Sequence, residues 1–158
     1  MSTDQITNPL RLRHWLGHME PDYAYTLGIA GERFFKELKE NGRIMGAKCK
    51  KCGKVYVPPK LYCEECFEKI EEWIDVGTKG KIYTYTVVYL DEHGRKLEKP
   101  VIYALIKFNR AFGGLIHKIG EVKPEEVKIG MLVEAVFKLQ TEREGTINDI
   151  KYFKPVAK

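Results

Sequence analysis

The sequence predicts a mixed α and β chain in three parts: helices over residues 1–42, a small cysteine ribbon over 43–70 and a five-stranded barrel over 71–158. Three observations predict it. Apolar residues recur at helical spacing before residue 42, all four cysteines fall between residues 49 and 66, and from residue 71 the apolar pattern changes to a period of two. A chain of 158 residues suits one large domain or two small ones.

Pro9 stands where the first turn of a helix through Leu10, Leu12, Trp15 and Leu16 would begin. Glu20-Pro21-Asp22 breaks that helix, and a second is expected over 25–40, with Leu27, Ala30, Phe34 and Leu38 on one face. Asn41-Gly42 supplies the left-handed stop that follows a helix C-terminus. Two helices of this size cannot bury a core alone. Trp15, Tyr23, Tyr25, Phe34 and Phe35 must therefore pack against the rest of the chain or against another protein.

The ribbon rests on one spacing: Cys49-x2-Cys52, ten residues, then Cys63-x2-Cys66. Two such knuckles can turn four thiolates onto one tetrahedral centre, with Zn–S bonds of about 2.3 Å. Gly53 follows Cys52, where a knuckle turns back and a positive φ lets backbone N–H groups point at sulfur. Phe67 takes the matching place after Cys66, a departure from that pattern. Pro58 and Pro59 stiffen the connecting loop, and short strands are expected at 44–48 and 55–57. Zn²⁺ closed by Cys49, Cys52, Cys63 and Cys66 keeps no open position and is structural, one ion per chain. It would supply folding energy that so small an apolar core lacks. Iron in the same knuckles, implying electron transfer, or two disulfides are the alternatives left open by the spacing. The opening residues MSTDQITNPL have neither the basic nor the apolar region of a signal peptide. No apolar run approaches membrane-spanning length, so a cytoplasmic protein without a membrane partner is expected.

In the third part Gly80 opens an alternating, β-branched run over 81–90. Further strands are expected over 101–108, 112–119 after a tight turn at Asn109-Arg110, 131–139 and 146–153. Met131, Val133, Ala135, Phe137 and Leu139 share one face of the fourth. Five short strands with edges to hide favour a closed barrel of the OB-fold type, whose usual binding loops would be 91–99 and 140–145.

The net charge of +5 is localised. Residues 41–60 hold six basic side chains (Arg43, Lys48, Lys50, Lys51, Lys54, Lys60) and no acidic one, and the remainder of the chain has 21 basic and 22 acidic residues. Lysines there would offset the net −2 of a four-thiolate zinc or face a phosphorylated ligand. No catalytic constellation is visible. His14 and His18 share a helical face without the acid of an H-E-x-x-H pattern, His93 lies in a loop, and His117 has no sequence-visible partner. Gly113-Gly114 reads as a bulge or a close backbone approach.

The stretch Cys49-Lys-Lys-Cys-Gly-Lys-Val-Tyr-Val-Pro-Pro-Lys-Leu-Tyr-Cys-Glu-Glu-Cys, placed before Gly80-Lys-Ile-Tyr-Thr-Tyr-Thr-Val-Val and Lys128-Ile-Gly-Met-Leu-Val-Glu, resembles the zinc-ribbon/OB-fold acyl-CoA-associated family over residues 25–154. The family was long labelled a domain of unknown function. The resemblance implies a rubredoxin-like ribbon joined to an OB barrel, with the four cysteines as zinc ligands. It also implies, in archaea, a non-catalytic subunit that bridges thiolase and 3-hydroxy-3-methylglutaryl-CoA synthase and helps to form a CoA site. On that reading the phosphates of coenzyme A suit Lys48, Lys50, Lys51 and Lys54. Its pantetheine arm suits a groove between barrel and ribbon walled by apolar residues and by Tyr83 and Tyr85. The alternative is a single-stranded nucleic-acid binder stacking bases on Tyr83, Tyr85 and Tyr89. Against it, the basic residues cluster on the ribbon and the barrel segment is close to neutral.

Overall fold

The computed structural model describes residues 25–156. The expected first helix, with His14, Trp15 and His18, and Tyr23 after the break, lie outside the described residues. Helix α1 (Gly28–Asn41) buries Phe34 and Leu38, one turn apart, and ends at Gly42, whose φ of 60° is the left-handed stop expected there. It starts three residues later than the periodicity suggests because Gly28 itself holds a positive φ of 64°, a conformation that does not continue a right-handed helix upstream.

A four-stranded sheet surrounds the cysteines. β1 (Met45–Lys48) and β2 (Val55–Val57) are its centre, flanked by β3 (Glu72–Asp75) and the later β6 (Ala111–Gly113) in the order β3-β1-β2-β6. Five strands then close a barrel: β4 (Lys79–Leu90), β5 (Lys96–Phe108), β7 (Leu115–Ile119), β8 (Leu132–Phe137) and β9 (Ile150–Pro155), in the order β4-β5-β7-β9-β8. Between β5 and β7 lies β6 (Ala111–Gly113), which leaves the barrel to pair in parallel with β2. The cysteine sheet thus takes both of its edge strands from beyond residue 70.

The single strand expected over 112–119 is therefore two. Gly113 has a φ of 84°, and a Cβ there would lie 2.3 Å from the Val57 carbonyl oxygen. A Cβ on Gly114 would meet the Ile106 carbonyl oxygen at 2.5 Å. Only glycine lets the chain pass between sheet and barrel at this point. The last strand is likewise shorter than expected, since residues 147–149 form a 3₁₀ turn. The buried Asp149 carboxylate accepts the N–H groups of Glu144, Gly145 and Thr146 at 2.9, 2.8 and 3.3 Å. This pinned loop reaches the end of α1: Gln140 Nε2 donates to the Glu40 carbonyl at 3.0 Å. Arg143 also bridges, donating to the Lys138 and Lys39 carbonyls.

One apolar core runs through the molecule. Ile82, Ile102, Ile106, Leu115, Val133, Ile150 and Phe153 fill the barrel, while Phe34 and Leu38 of α1 and Met45 and Val57 of the ribbon strands join the same cluster. On the face of β8, Val133 and Ala135 are buried and Leu139, beyond the strand, is exposed. Among the described residues no helix is long and apolar enough to cross a membrane.

Candidate metal centre and its cationic surroundings

Each cysteine pair sits on a tight backbone knuckle, and the two knuckles repeat one hydrogen-bond pattern. Cys49 N–H donates to the Lys54 carbonyl and Gly53 N–H to the Cys49 carbonyl, both at 2.8 Å. In the second, Cys63 N–H donates to the Glu68 carbonyl at 2.9 Å and Phe67 N–H to the Cys63 carbonyl at 3.0 Å. Gly53 (φ 74°) and Phe67 (φ 56°) occupy the same left-handed position. The departure seen in the sequence leaves the turn intact, at the strain an L-residue bears in that region. The Phe67 ring is exposed.

The four Sγ atoms lie within 4.8 Å of one another, with Cys49–Cys66 and Cys52–Cys63 both at 3.5 Å. Four sulfurs at about 2.3 Å from one tetrahedral centre would be about 3.8 Å apart, within the observed span. Cys49 and Cys63 are buried, Cys66 half-buried and Cys52 exposed.

Protonation supports the same fit. The Tyr56 hydroxyl donates to Cys63 Sγ at 3.3 Å. With help from the N–H groups of Cys66 and Glu65 it brings the Cys63 thiol down to about 6, and the same bond pushes Tyr56 up to about 12. The Cys52 N–H lowers Cys49. At Cys66 the Glu68 N–H favours the thiolate, but burial and the crowding of Cys49, Cys63 and Cys52 outweigh it and push the thiol up to about 12. Cys52 is raised in the same way, against the Lys54 N–H. Backbone amides thus point at all four sulfurs, yet four thiolates cannot ionise together without a cation between them. The donor set fits a thiophilic metal ion.

The lysines singled out by the sequence part company. Lys48 pairs with Glu72 at 3.0 Å. Lys54 pairs with Glu65 and lies 4.8 Å over the Phe112 ring. Lys60 pairs with Glu64. Their partners come from residues 64–72, just beyond the basic stretch, so half of the local excess is compensated. Lys50 and Lys51 stay exposed and border an open hollow of about 550 Å³ with Glu68, Lys69 and Glu71. Tyr83 and Tyr85 do not share a face. A bulge between Ile82 and Thr84 leaves Tyr83 unpaired and brings Tyr85 opposite the buried Ala104. Tyr85 packs on the core, whereas Tyr83 is exposed with Lys107 Nζ 3.7 Å over its ring.

Two further features escape a linear reading. His117 is buried at the edge of a hollow of about 600 Å³ that Lys118, Lys138 and Lys151 also line. Its Nδ1 accepts the Lys118 N–H at 2.9 Å and its Nε2 meets the Ile147 carbonyl at 3.2 Å. Burial holds its pKa below the ordinary histidine value, so the ring is neutral at pH 7 with both nitrogens engaged. The second feature is a group of cations between β4 and β5, without carboxylate partners among the described residues and brought together by register.

A four-thiolate centre on paired knuckles beside a closed OB barrel defines a zinc-ribbon/OB-fold protein. The chain belongs to the ChsH2-type DUF35 family. The family model described as "ChsH2, rubredoxin-like zinc ribbon domain" matches residues 37–71, and "ChsH2, C-terminal OB-fold domain" matches residues 73–138. A DUF35 domain-containing scaffold protein of Methanocaldococcus jannaschii is 37% identical over 128 residues, covering 78% of this chain and 89% of that protein. Benzoylsuccinyl-CoA thiolase subunit BbsA of Geobacter metallireducens is 29% identical over 63 residues, 40% of this chain and 41% of that subunit. Among solved structures, the Ltp2-ChsH2(DUF35) aldolase matches with a TM-score of 0.61 at 20% identity, covering 86% of this chain and 98% of that one; at that identity the likeness is of fold.

Proposed function

We propose that this chain is a non-catalytic, acyl-CoA-associated scaffold subunit of a thiolase-type enzyme complex, acting in the cytoplasm. The observation that carries the reading is the scaffold relative, which is matched over most of its own length. The names of the thiolase subunit and of the aldolase complex support the kind of partner: a thiolase or 3-hydroxy-3-methylglutaryl-CoA synthase type enzyme. The metal is Zn²⁺, held by Cys49, Cys52, Cys63 and Cys66, and its role is structural, since four thiolates leave no open position. His117, buried and bonded to backbone on both ring nitrogens, is poorly suited to proton transfer. Leu27 and Ile29, exposed at the start of α1, suit contact with a partner. Lys50 and Lys51 remain the ribbon residues best placed to meet a CoA phosphate at the joint surface.

The test is a pull-down of the tagged chain from nuclease-treated lysate of the source cell, with partners identified by mass spectrometry. A thiolase or synthase subunit at near-stoichiometric yield is expected, together with CoA binding that weakens when this chain is stripped from the complex. A clean preparation without such an enzyme would overturn the scaffold reading. Undiminished CoA binding after stripping would remove only the ligand role.

A further inference from the structure

We infer that Lys79, Lys81, Lys107 and Arg110 form an anion site on the barrel for the diphosphate group of a small organic ligand. Lys81 and Lys107 are direct partners across β4 and β5. Like charges so placed destabilise a sheet. Lys79 lies two residues before Lys81, on the same face of β4. Arg110 follows β5 in the tight turn and holds a φ of 59°, in the left-handed region that favours glycine. The four border one hollow of about 440 Å³ with no acidic side chain in its wall.

What marks these cations is that two of them oppose each other directly across paired strands, with no acid in the wall they share. Lys48, Lys54, Lys60 and Lys69 on the ribbon each pair with a carboxylate. Among the described residues, none of Lys79, Lys81, Lys107 or Arg110 does. The acid nearest in register is Glu134, opposite Lys79 across β4 and β8, and its carboxylate accepts the Thr78 hydroxyl at 3.1 Å. Unpaired like charges gathered around a concavity are stabilised by a multivalent anion.

The spacing selects the anion. Lys79 and Lys81 are separated by about 6.7 Å along the strand, and Lys81 and Lys107 by about 5 Å across it. A single carboxylate cannot meet that array, whereas two linked phosphoryl groups can, with the Arg110 guanidinium closing on one of them bidentately. The exposed Tyr83 ring, held under Lys107, offers a flat apolar surface beside the cations for an organic moiety. A nucleic-acid strand would want successive stacking rings, and the bulge has set the half-buried Tyr85 against the core, off the face that Tyr83 occupies. This inference does not rest on the scaffold reading: it concerns the chain alone, and coenzyme A is only one ligand with a diphosphate.

The experiment is a calorimetric titration of the full chain at low salt with inorganic pyrophosphate, ADP, coenzyme A and an oligothymidylate. Pyrophosphate should bind saturably, and ADP and coenzyme A should bind at least as tightly and compete with it. The double variant Lys81→Gln/Lys107→Gln should weaken all three at least tenfold with a melting temperature no lower than that of the wild type, and Lys118→Gln/Lys151→Gln, on a separate hollow, should change them less than twofold. Three results would overturn the proposal: no saturable pyrophosphate binding, binding indifferent to Lys81→Gln/Lys107→Gln, or organic diphosphates that fail to compete. An oligothymidylate that outcompetes every diphosphate with a steep salt dependence would instead make the surface a nucleic-acid groove.

Discussion

The ribbon and the barrel share a core but are held by different physics. On its outer side the ribbon buries only Ala47, Cys49, Tyr56, Cys63 and Ile70 as a cluster, and two of those five residues are cysteines of the candidate metal centre. The barrel cluster is several times larger and draws on every strand of the barrel, on α1 and on the inner face of the ribbon. A metal held by the four cysteines would therefore stabilise the ribbon at a point, through charge and coordination. The barrel is stabilised over an area, through apolar burial, at roughly 25 cal/mol per Å² removed from water. A two-sided strand such as β2 shows the join: Tyr56 faces the sulfurs while Val57 faces the barrel core.

Removing the metal should break that comparison most visibly. Chelation, or Cys63→Ser, is expected to lower the first calorimetric transition, that of the ribbon, by more than about 10 °C, because metal binding is folding energy in modules this small. The barrel transition should survive, and the metal released should be colourless zinc by elemental analysis. A coloured protein would point to ferric thiolate instead.

The converse perturbation is Phe153→Ala. Phe153 is fully buried at the barrel centre, and its truncation should cost about 3–5 kcal/mol in urea denaturation, with the metal retained at full stoichiometry in the folded fraction. Asp149→Ala should cost about 2–3 kcal/mol, since buried N–H donors lose their acceptor, and should loosen the loop that meets α1. Burial works against the Asp149 carboxylate, but the N–H groups of Glu144, Gly145 and Thr146 outweigh it and hold its pKa below the ordinary value. A depressed folded-state value stabilises above the unfolded value of about 3.9 and loses that contribution as pH falls through the folded one. The wild-type melting temperature should thus fall more steeply below about pH 4 than that of the variant.

Two smaller changes sharpen the picture inside the ribbon. Tyr56→Phe removes the hydroxyl that meets Cys63 Sγ while keeping the packed ring, and should speed metal transfer to a competing chelator about tenfold. The knuckles can also be compared with each other. Phe67→Gly should stabilise by less than about 1 kcal/mol, relieving left-handed strain at an exposed side chain. Gly53→Ala should destabilise by about 1 kcal/mol by introducing that strain. Thermal melting of both variants checks the pair.

Much of this architecture is legible from local pattern. The spacing of Cys49, Cys52, Cys63 and Cys66 determines the knuckles, because a short loop between two tight turns leaves four sulfurs few places to go. The helix stop at Gly42 and the alternation of 101–108 and 131–139 are equally local, since periodicity and left-handed φ are properties of a few neighbouring residues. What only the tertiary structure decided depends on pairs far apart in the chain. Gly113 and Gly114 divide a run that reads as one strand, because the close approaches that demand glycine are to Val57 and Ile106. The bulge at Tyr83 separates two tyrosines that alternate correctly on paper. Charge is the clearest case. Half of the basic side chains at 41–60 are paired with acids folded against them, whereas the barrel segment, close to neutral in sum, gathers through the register of β4 and β5 four cations without a carboxylate partner among the described residues. Composition adds charges along the chain; only register and packing determine which of them meet.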